Sequence, residues 1–388
     1  MGKDPWDTPA MRQYRRFKQQ HPECVLFFRM GDFYEMFGED AERLAPALGL
    51  RLSNRGSPIP MAGVPHHQLD TYLRKAIAQG FRVAVCDQVQ DPKEAKGVVE
   101  RAVTQVVTPG TLVDETLLGG EQVAALAAVA FVGEEHAAGA IVELSTGALV
   151  VADGSPGRLL DELAQRSVRE VLFAETGDGR TPARVERLLE PIGAHATPRP
   201  AWHFRRDEAL EAVREQYRVS GVEGFGLSED DPAIGAVGAV VRYLRETQGV
   251  GREARDATSG GEFQRQTVTL AHLRPPRREE NSRFCALDAT SLRALEIERT
   301  IRSGSVAGSV LGVFLESPAG VRSVVRTPMG RRRIREWLCR PLADAACARG
   351  RTRSRRWSRI GPRRERWRTC SPASRTWHGS PGAWRWDA

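Results

Sequence analysis

Hydrophobic and polar positions switch between strand-like and helix-like patterns through roughly the first 115 residues. Two stretches have apolar residues at helical spacing, one from Glu39 onward and one from Leu69 to Gln79. Other apolar runs have the length of strands and are bounded by turn residues; they lie at 24–29, 33–37, 81–89 and 102–108. This alternation predicts a mixed α/β domain.

A second alternating region begins near Glu121. Three closely spaced strands are predicted at 123–132, 138–144 and 148–152, separated by short turns that contain glycine. Strand and helix patterns then alternate as far as about Gln248. We therefore expect a second α/β domain built around its own sheet.

The third region is helical. Residues 249–261 are rich in Gly, Ser and charged residues, which is typical of a linker. Beyond them, one helix is predicted from Ala286 to a stop at Gly304, and another from Pro328 to Leu338. The chain is therefore expected to be a multidomain α/β protein that ends in the beginning of a helical domain.

The net charge of +8 is unevenly distributed along the chain. Residues 343–388 contain twelve Arg, no Lys and three acidic residues, a net charge of +9, which leaves −1 for residues 1–342. A basic total often indicates a nucleic-acid partner. Because residues 1–342 carry almost no net charge, a prediction of nucleic-acid binding there has to rest on individual residues.

Cysteine usage and hydropathy indicate where the chain works. The six cysteines include no C-x-x-C pair, which argues against a zinc site or a disulfide framework and fits a reducing compartment. No run of about eighteen apolar residues is present, and the polar N-terminal stretch lacks the apolar core of a secretory signal. We expect a cytoplasmic protein with no membrane partner.

The segment 343–388 has an unusual composition, with one Ile and no Val, Leu, Phe or Met, but five of the chain's eight Trp. It can be interpreted as a disordered tail or as an Arg/Trp tail that binds single-stranded nucleic acid. A third interpretation is a shifted reading frame. If 351–360 is written in GC-rich codons and these are read one base out of frame, the translated sequence has the pattern of an amphipathic helix. We adopt the frameshift as a hypothesis. Sequencing the gene tests it, and it fails if no single-base shift restores a long open frame.

Four motifs follow one another in residues 1–342. They are FRMGDFYEMF at 28–37, PMAGVPHH at 60–67, VTPGT at 107–111, and a stretch at 287–342 that contains LDAT, LE, MG, WL and RPL. A lone GDFYE would be a weak signal. The ordered combination resembles the MutS family of mismatch-recognition proteins over about 1–342.

The resemblance implies a domain layout. A mismatch-recognition domain is expected at 1–118, a connector domain with an RNase H-like fold at 119–248, and the beginning of a helical core and lever domain at 249–342, before the tail at 343–388. The implied partners are double-stranded DNA with mispairs or small loops and a MutL-type repair protein. Complete members of the family form homodimers, through regions that this chain is expected to lack.

The resemblance also implies roles for two residues of the first motif. In the family, the phenylalanine that matches Phe33 wedges into the minor groove beside the mispair, and the glutamate that matches Glu35 hydrogen-bonds the base. Residues two apart on a strand point to the same face, so Phe33 and Glu35 are expected to act together while Tyr34 and Met36 face the core. A mispaired step is easier to kink than a matched one, so deformability becomes the signal. A carboxylate at a base edge can accept a hydrogen bond or, when protonated, donate one.

Other candidate residues have weaker support. Arg51, Arg55 and Arg74 are candidate contacts to the DNA backbone, although a solvated surface explains them equally well. His66 and His67 form a pair in a loop, but no carboxylate or cysteine lies nearby at ligand spacing, so no metal site is predicted. Tyr34 and Phe37 are expected to belong to the core.

The family's ATPase signature is not found in this sequence. Its phosphate-binding loop requires G-x-x-x-x-G-K-[ST], and the last lysine is Lys96. Although complete members use ATP and Mg²⁺, we expect no cofactor, metal site or enzymatic activity in this chain. Two alternatives to mismatch binding remain: an inactive fragment that binds DNA weakly, and a metal-dependent nuclease. The nuclease is disfavoured because the first predicted connector strand has no acidic residue and the second has Glu143 alone.

Overall fold

The structure, a computed structural model, describes residues 5–54, 58–89, 99–111, 124–248, 270–279, 284–285, 287–315, 325 and 327–343. The predicted linker at 249–261, the candidate contact Arg55 and nearly all of the predicted tail lie outside these residues. The chain divides into two compact units. The first consists of Met1–Asn281 and Ala286–Arg340, and the second consists of Ser282–Cys285 and Pro341–Ala388. In the described part of the second unit, Phe284 forms an antiparallel bridge with Leu342.

The first sheet has five strands in the order β3-β2-β1-β4-β5. Strands β1 and β4 run parallel, and the other neighbours are antiparallel. The strands are β1 (Val25–Met30), β2 (Phe33–Phe37), β3 (Met61–Pro65), β4 (Val83–Gln88) and β5 (Arg101–Val107). Helices α2 (Glu39–Leu48) and α3 (Leu69–Ala78) pack on one face, which includes Tyr34 and Met36. The predicted mixed α/β domain is confirmed.

Helix α1 (Pro9–Gln20) covers the other face of this sheet. No element was predicted before residue 24, yet the start of the helix has a local signal, since the Thr8 hydroxyl accepts a hydrogen bond from Met11 N at 3.3 Å and Pro9 occupies the first turn. Its buried residues recur every third position: Met11, Tyr14 and Phe17. They pack against Phe28 and Phe37 of the sheet, so the amphipathic helix gives the sheet a second apolar layer.

The second sheet has six strands in the order β10-β9-β6-β7-β8-β11. The first three along the chain form an antiparallel meander, and β9 and β10 then add parallel to β6. The strands are β6 (Ala125–Val132), β7 (His136–Glu143), β8 (Ala148–Gly154), β9 (Val168–Ala174), β10 (His195–Arg199) and β11 (Arg277–Arg278). Helices cover both faces, α4 (Pro156–Gln165) and α5 (Ala183–Leu189) on one, α6 (Arg206–Tyr217) and α7 (Ile234–Gln248) on the other. This second α/β domain agrees with the sequence analysis.

The helical segment that follows is more broken than predicted. Its helices are α8 (Ala289–Ala294), α9 (Gly312–Leu315) and α10 (Pro328–Cys339). The continuous helix expected from Ala286 to Gly304 is wrong, because Glu296 adopts a positive φ of 49° and its side chain accepts the Ile301 N–H at 2.6 Å. Helix α10 is confirmed, and Thr327 caps it by accepting from Gly330 N at 3.1 Å. None of the helices in the described part of the chain is long and apolar enough to cross a membrane.

Candidate nucleic-acid interface

Phe33 lies at the tip of the hairpin formed by β1 and β2. Gly31 takes the left-handed conformation that the tight turn requires, with φ of 61°. Phe33 then begins β2, paired with Met30 on one side and Pro65 on the other. Its side chain is 39% exposed. The first motif therefore holds a large apolar side chain at the rim of the sheet, where a partner can reach it.

Glu35 lies two residues further along the same strand and is only 5% exposed. Its neighbours across the sheet are Phe28 on β1 and Gly63 on β3. A Cβ atom placed on Gly63 would lie 3.6 Å from Glu35 Cγ and 3.9 Å from Phe33 Cδ1. Phe33 and Glu35 are therefore on one face, as the alternation predicts, but no local pattern predicted that the carboxylate would be nearly buried.

The second motif forms the strand beside this pair. Strand β3 contributes Gly63, which places no side chain beside Phe33 and Glu35. Beyond the end of β3, His66 N donates to the carbonyl of Asp32 at 2.9 Å and so ties the loop to the hairpin turn. The His66 and His67 rings are exposed and meet edge to face, 5.8 Å apart. The motif thus stabilises the tip that presents Phe33.

Tyr34 and Phe37 belong to the core, with exposures of 4% and 9%. The Tyr34 hydroxyl donates to Asp87 on β4, and Thr104 donates to the same carboxylate at 2.7 Å. Burial raises the pKa of Tyr34 to about 12, and the hydrogen bond to Asp87 adds to the effect. This side chain therefore anchors the back of the strand whose front presents Phe33.

Of the candidate backbone contacts, Arg51 and Arg74 lie in the described residues. Arg51 and Arg74 are both exposed. Arg74 is on α3, in the helix layer that covers the opposite face of the sheet from Glu35. Arg51 lies two residues before Ser53, which bridges to Met61, the β3 residue paired with Phe37. Phe37 is at the opposite end of β2 from Phe33, about 13 Å along the strand at 3.3 Å per residue.

The third motif leads to a residue that the sequence analysis missed. Thr108 and Gly110 both donate to the carboxylate of Glu170, which lies on β9 in the second domain and is fully buried. A single acidic residue inside an apolar strand is the one local signal for it. Its partners come from distant parts of the chain, so their identity could not be read from spacing.

Side chains that could bind a metal ion do not cluster in the part of the chain that the structure describes. No group of three or more His, Cys, Asp or Glu side chains that could hold a metal ion occurs in the described ranges. Both oxygens of Glu170 are engaged by hydrogen-bond donors. The phosphate-binding loop G-x-x-x-x-G-K-[ST] does not occur in the 388-residue sequence.

Comparison with known proteins agrees with this arrangement. The family model described as MutS domain I matches residues 8–116, and that described as MutS domain II matches residues 124–250. The chain is 39% identical over 363 residues to the DNA mismatch repair protein MutS of Rhodopirellula baltica, covering 87% of this chain and 37% of that protein. It is 34% identical over 345 residues to the protein of the same name from Salinibacter ruber, covering 87% of this chain and 35% of that protein. The chain thus spans little more than a third of the length of these relatives. With domains I and II in order, it belongs to the MutS family.

Proposed function

We propose that this chain binds duplex DNA at mispaired bases or small loops, with Phe33 as the wedge that enters the minor groove and Glu35 as the group that contacts the base. The observation that carries the proposal is the geometry of the rim. A 39% exposed aromatic side chain is fixed at the tip of a hairpin, and a nearly buried carboxylate lies on the same face behind it. The supporting resemblance is to proteins whose names state mismatch repair.

The free energy of bending favours a mispaired step. Inserting an apolar side chain unstacks the step at a cost of roughly a few kcal/mol. A mispaired step is already poorly stacked, so the same wedge meets less resistance there than at a matched step. Because the readout depends on deformability, it is largely independent of the surrounding base sequence. Phe33 meets the mechanical requirement, since its strand is paired on both sides, with β1 and β3.

The burial of Glu35 gives the carboxylate a conditional role. An exposed acid beside DNA would repel the phosphates during every encounter. Glu35 is shielded beside Phe33 and Gly63, so it reaches a base only when the duplex presses against this face. We therefore expect Glu35 to contribute after the wedge has entered and to add little to non-specific binding.

Binding of the complete chain to a labelled duplex with one G·T mispair, compared with its matched twin, tests the proposal. We expect tighter binding to the mispair, and we expect Phe33→Ala to remove the difference, because stacking of an aromatic ring on a base is worth about 1–3 kcal/mol. Val132→Ala is the matched control, since Val132 is an exposed apolar residue of the second domain, 53% accessible. Equal, weak binding to both duplexes would refute the proposal and favour the alternative of a chain with little DNA binding.

A further inference from the structure

Glu170 is fully buried on β9, and its two carboxylate oxygens accept hydrogen bonds from different domains. Oε2 accepts hydrogen bonds from the first domain, from Thr108 Oγ1 at 2.6 Å and from Gly110 N at 2.9 Å. Oε1 accepts from the second domain, from Thr197 Oγ1 at 2.9 Å and from Tyr243 Oη at 2.6 Å. One side chain therefore joins the two sheets through four hydrogen bonds.

The hydroxyl groups around Glu170 have definite donor and acceptor roles. Burial raises the pKa of Tyr243 well above its usual value, and the charge of Glu170 adds to this, so the phenol remains a donor. The Thr108 hydroxyl gives its proton to Glu170. The contact of 2.8 Å between Thr108 Oγ1 and Thr111 Oγ1 must then use the proton of Thr111. Both threonines of the third motif are thus fixed by the carboxylate.

Two glycines allow the domains to approach this closely. A Cβ atom on Gly110 would lie 2.8 Å from the Cβ of Glu170. A Cβ atom on Gly80, whose φ is +82°, would lie 2.5 Å from the His195 ring. Both distances are shorter than real Cβ contacts. At this junction between the first and second domains, the backbone of the first domain therefore lies directly against side chains of the second.

Charged side chains surround the same junction. Arg82 of the first domain lies 3.7 Å from Glu170 Oε1 and also pairs with Glu23. Arg199 of the second domain reaches Glu23 at 3.3 Å. Both guanidinium groups lie against the Tyr243 ring, 5.7 and 5.3 Å from its centre. These contacts restrict rotation of one domain on the other, because several of them would break together.

We propose that Glu170 is a positioning residue, a latch that holds the wedge-bearing domain in a fixed orientation on the second domain. If the first domain could rotate freely, Phe33 would move away as the duplex resists bending. When the first domain is held on the second, Phe33 stays in place against that resistance. The statement about DNA rests on the proposed function. The latch itself does not, and it can be tested without DNA.

Two substitutions distinguish a hydrogen bond that holds the two domains together from one that only stabilises the second domain. Thr108→Val removes a hydrogen bond to Glu170 that crosses the junction, and Tyr243→Phe removes one that stays within the second domain. Each deletes one buried hydroxyl donor to the same carboxylate. Thr111→Val alters the loop that carries Thr108 without removing a direct partner of Glu170 and serves as the loop control.

Calorimetric unfolding of the complete chain gives the first readout. We expect one cooperative transition for the domains of the native chain, a split into two for Thr108→Val, and a single transition at a lower temperature for Tyr243→Phe and Thr111→Val. Two separate transitions in the native chain, or the same single transition in all three variants, would overturn the latch. All three variants retain Glu170, so the comparison does not depend on whether a chain with Glu170 replaced can fold.

Binding gives the second readout. We expect Thr108→Val to lower the preference for a G·T mispair over the matched duplex about tenfold, the factor that corresponds to one buried hydrogen bond, and Tyr243→Phe to leave it within about twofold. Equal preference ratios in the two variants would contradict a role of the latch in recognition. A native chain with no mispair preference would instead refute the proposed function, while the calorimetric result would still judge the latch.

Discussion

Phe33 and Glu35 are two residues apart on β2 and point to the same face of the sheet, yet Phe33 is 39% exposed and Glu35 only 5%. The aromatic side chain is therefore met first by any approaching partner, and the carboxylate lies behind it. This order separates two tasks. In the proposed function, Phe33 probes the stiffness of the duplex, and Glu35 is expected to contact the base once the wedge has entered.

In the proposed function, a base approaches Glu35 past Gly63, which has no side chain. In Gly63→Ala the added Cβ would make ordinary contacts, 3.6 Å from Glu35 Cγ and 3.9 Å from Phe33 Cδ1. We expect the free energy of unfolding to change by less than about 1 kcal/mol and the mispair preference to fall, because the methyl group covers the carboxylate. Gly157→Ala, with nothing within 4 Å of the added atom, is the control for both measurements. An unchanged preference in Gly63→Ala would show that access past this position is not needed.

Tyr34 packs in the core behind β2, and we expect it to support this strand without contacting DNA. Tyr34→Phe removes the hydrogen bond to Asp87 and is expected to lower the free energy of unfolding by about 1.5–3 kcal/mol, the range for bonds to charged groups. The ratio of mispaired to matched binding should stay constant, as measured in titrations at a temperature where the variant is folded. Thr104→Val, which removes a second bond to the same carboxylate, should behave alike. A selective loss of mispair preference in Tyr34→Phe would contradict this division between support and contact.

Arg51 and Arg74 provide a test of backbone contacts. If each binds one phosphate, Arg51→Ala and Arg74→Ala should weaken matched and mispaired binding by the same factor. Each should also lower the slope of log affinity against log salt by about 0.9. Arg180→Ala, an exposed arginine of the second domain, should change neither quantity. A slope that stays constant in both variants would place these side chains outside the path of the DNA.

His203 should make the second domain sensitive to acid. Burial, followed by the charges of Arg199 and Arg242, lowers its pKa to about 4, and Glu246 lies 3.7 Å away. The unfolded chain, with a pKa of about 6.5, binds a proton between pH 4 and 6.5 that the folded chain excludes. The free energy of unfolding should therefore fall as the pH falls through this window, by at most about 1.4 kcal/mol per pH unit. Urea titrations should show a shallower pH dependence in His203→Gln, and an equal slope in both proteins would contradict the assignment.

Local sequence signals predicted the hairpin that carries the site. Strand β2 begins and ends at the predicted residues, Phe33 and Phe37, because a Gly-Asp turn precedes a short apolar run. The helix that begins at Leu69 was found for a similar reason, since apolar residues at helical spacing lead to a stop at Gly80. In these elements, local conformation and burial favour the same structure.

Features set by distant partners could not be predicted. The spacing of Leu292, Leu295 and Ile297 indicated a long helix, but Leu295 is 57% exposed and the chain leaves the helix after Ala294. The Glu296 side chain accepts a backbone N–H that a helix would have given to a carbonyl group. Likewise, Glu170 lies among donors up to 73 positions away in the sequence. Sequence alone offered one acidic residue in an apolar strand and no means of naming its partners.

The most direct test of the central claim is the bend itself. A duplex labelled at both ends for resonance energy transfer, with one central G·T mispair, is saturated with the native chain or with Phe33→Ala, so that a difference in affinity does not affect the result. Insertion of the wedge predicts a shorter end-to-end distance with the native chain and an unbent duplex with Phe33→Ala. Equal bending by both proteins, or a straight duplex bound by the native chain, would contradict the claim that Phe33 is the wedge.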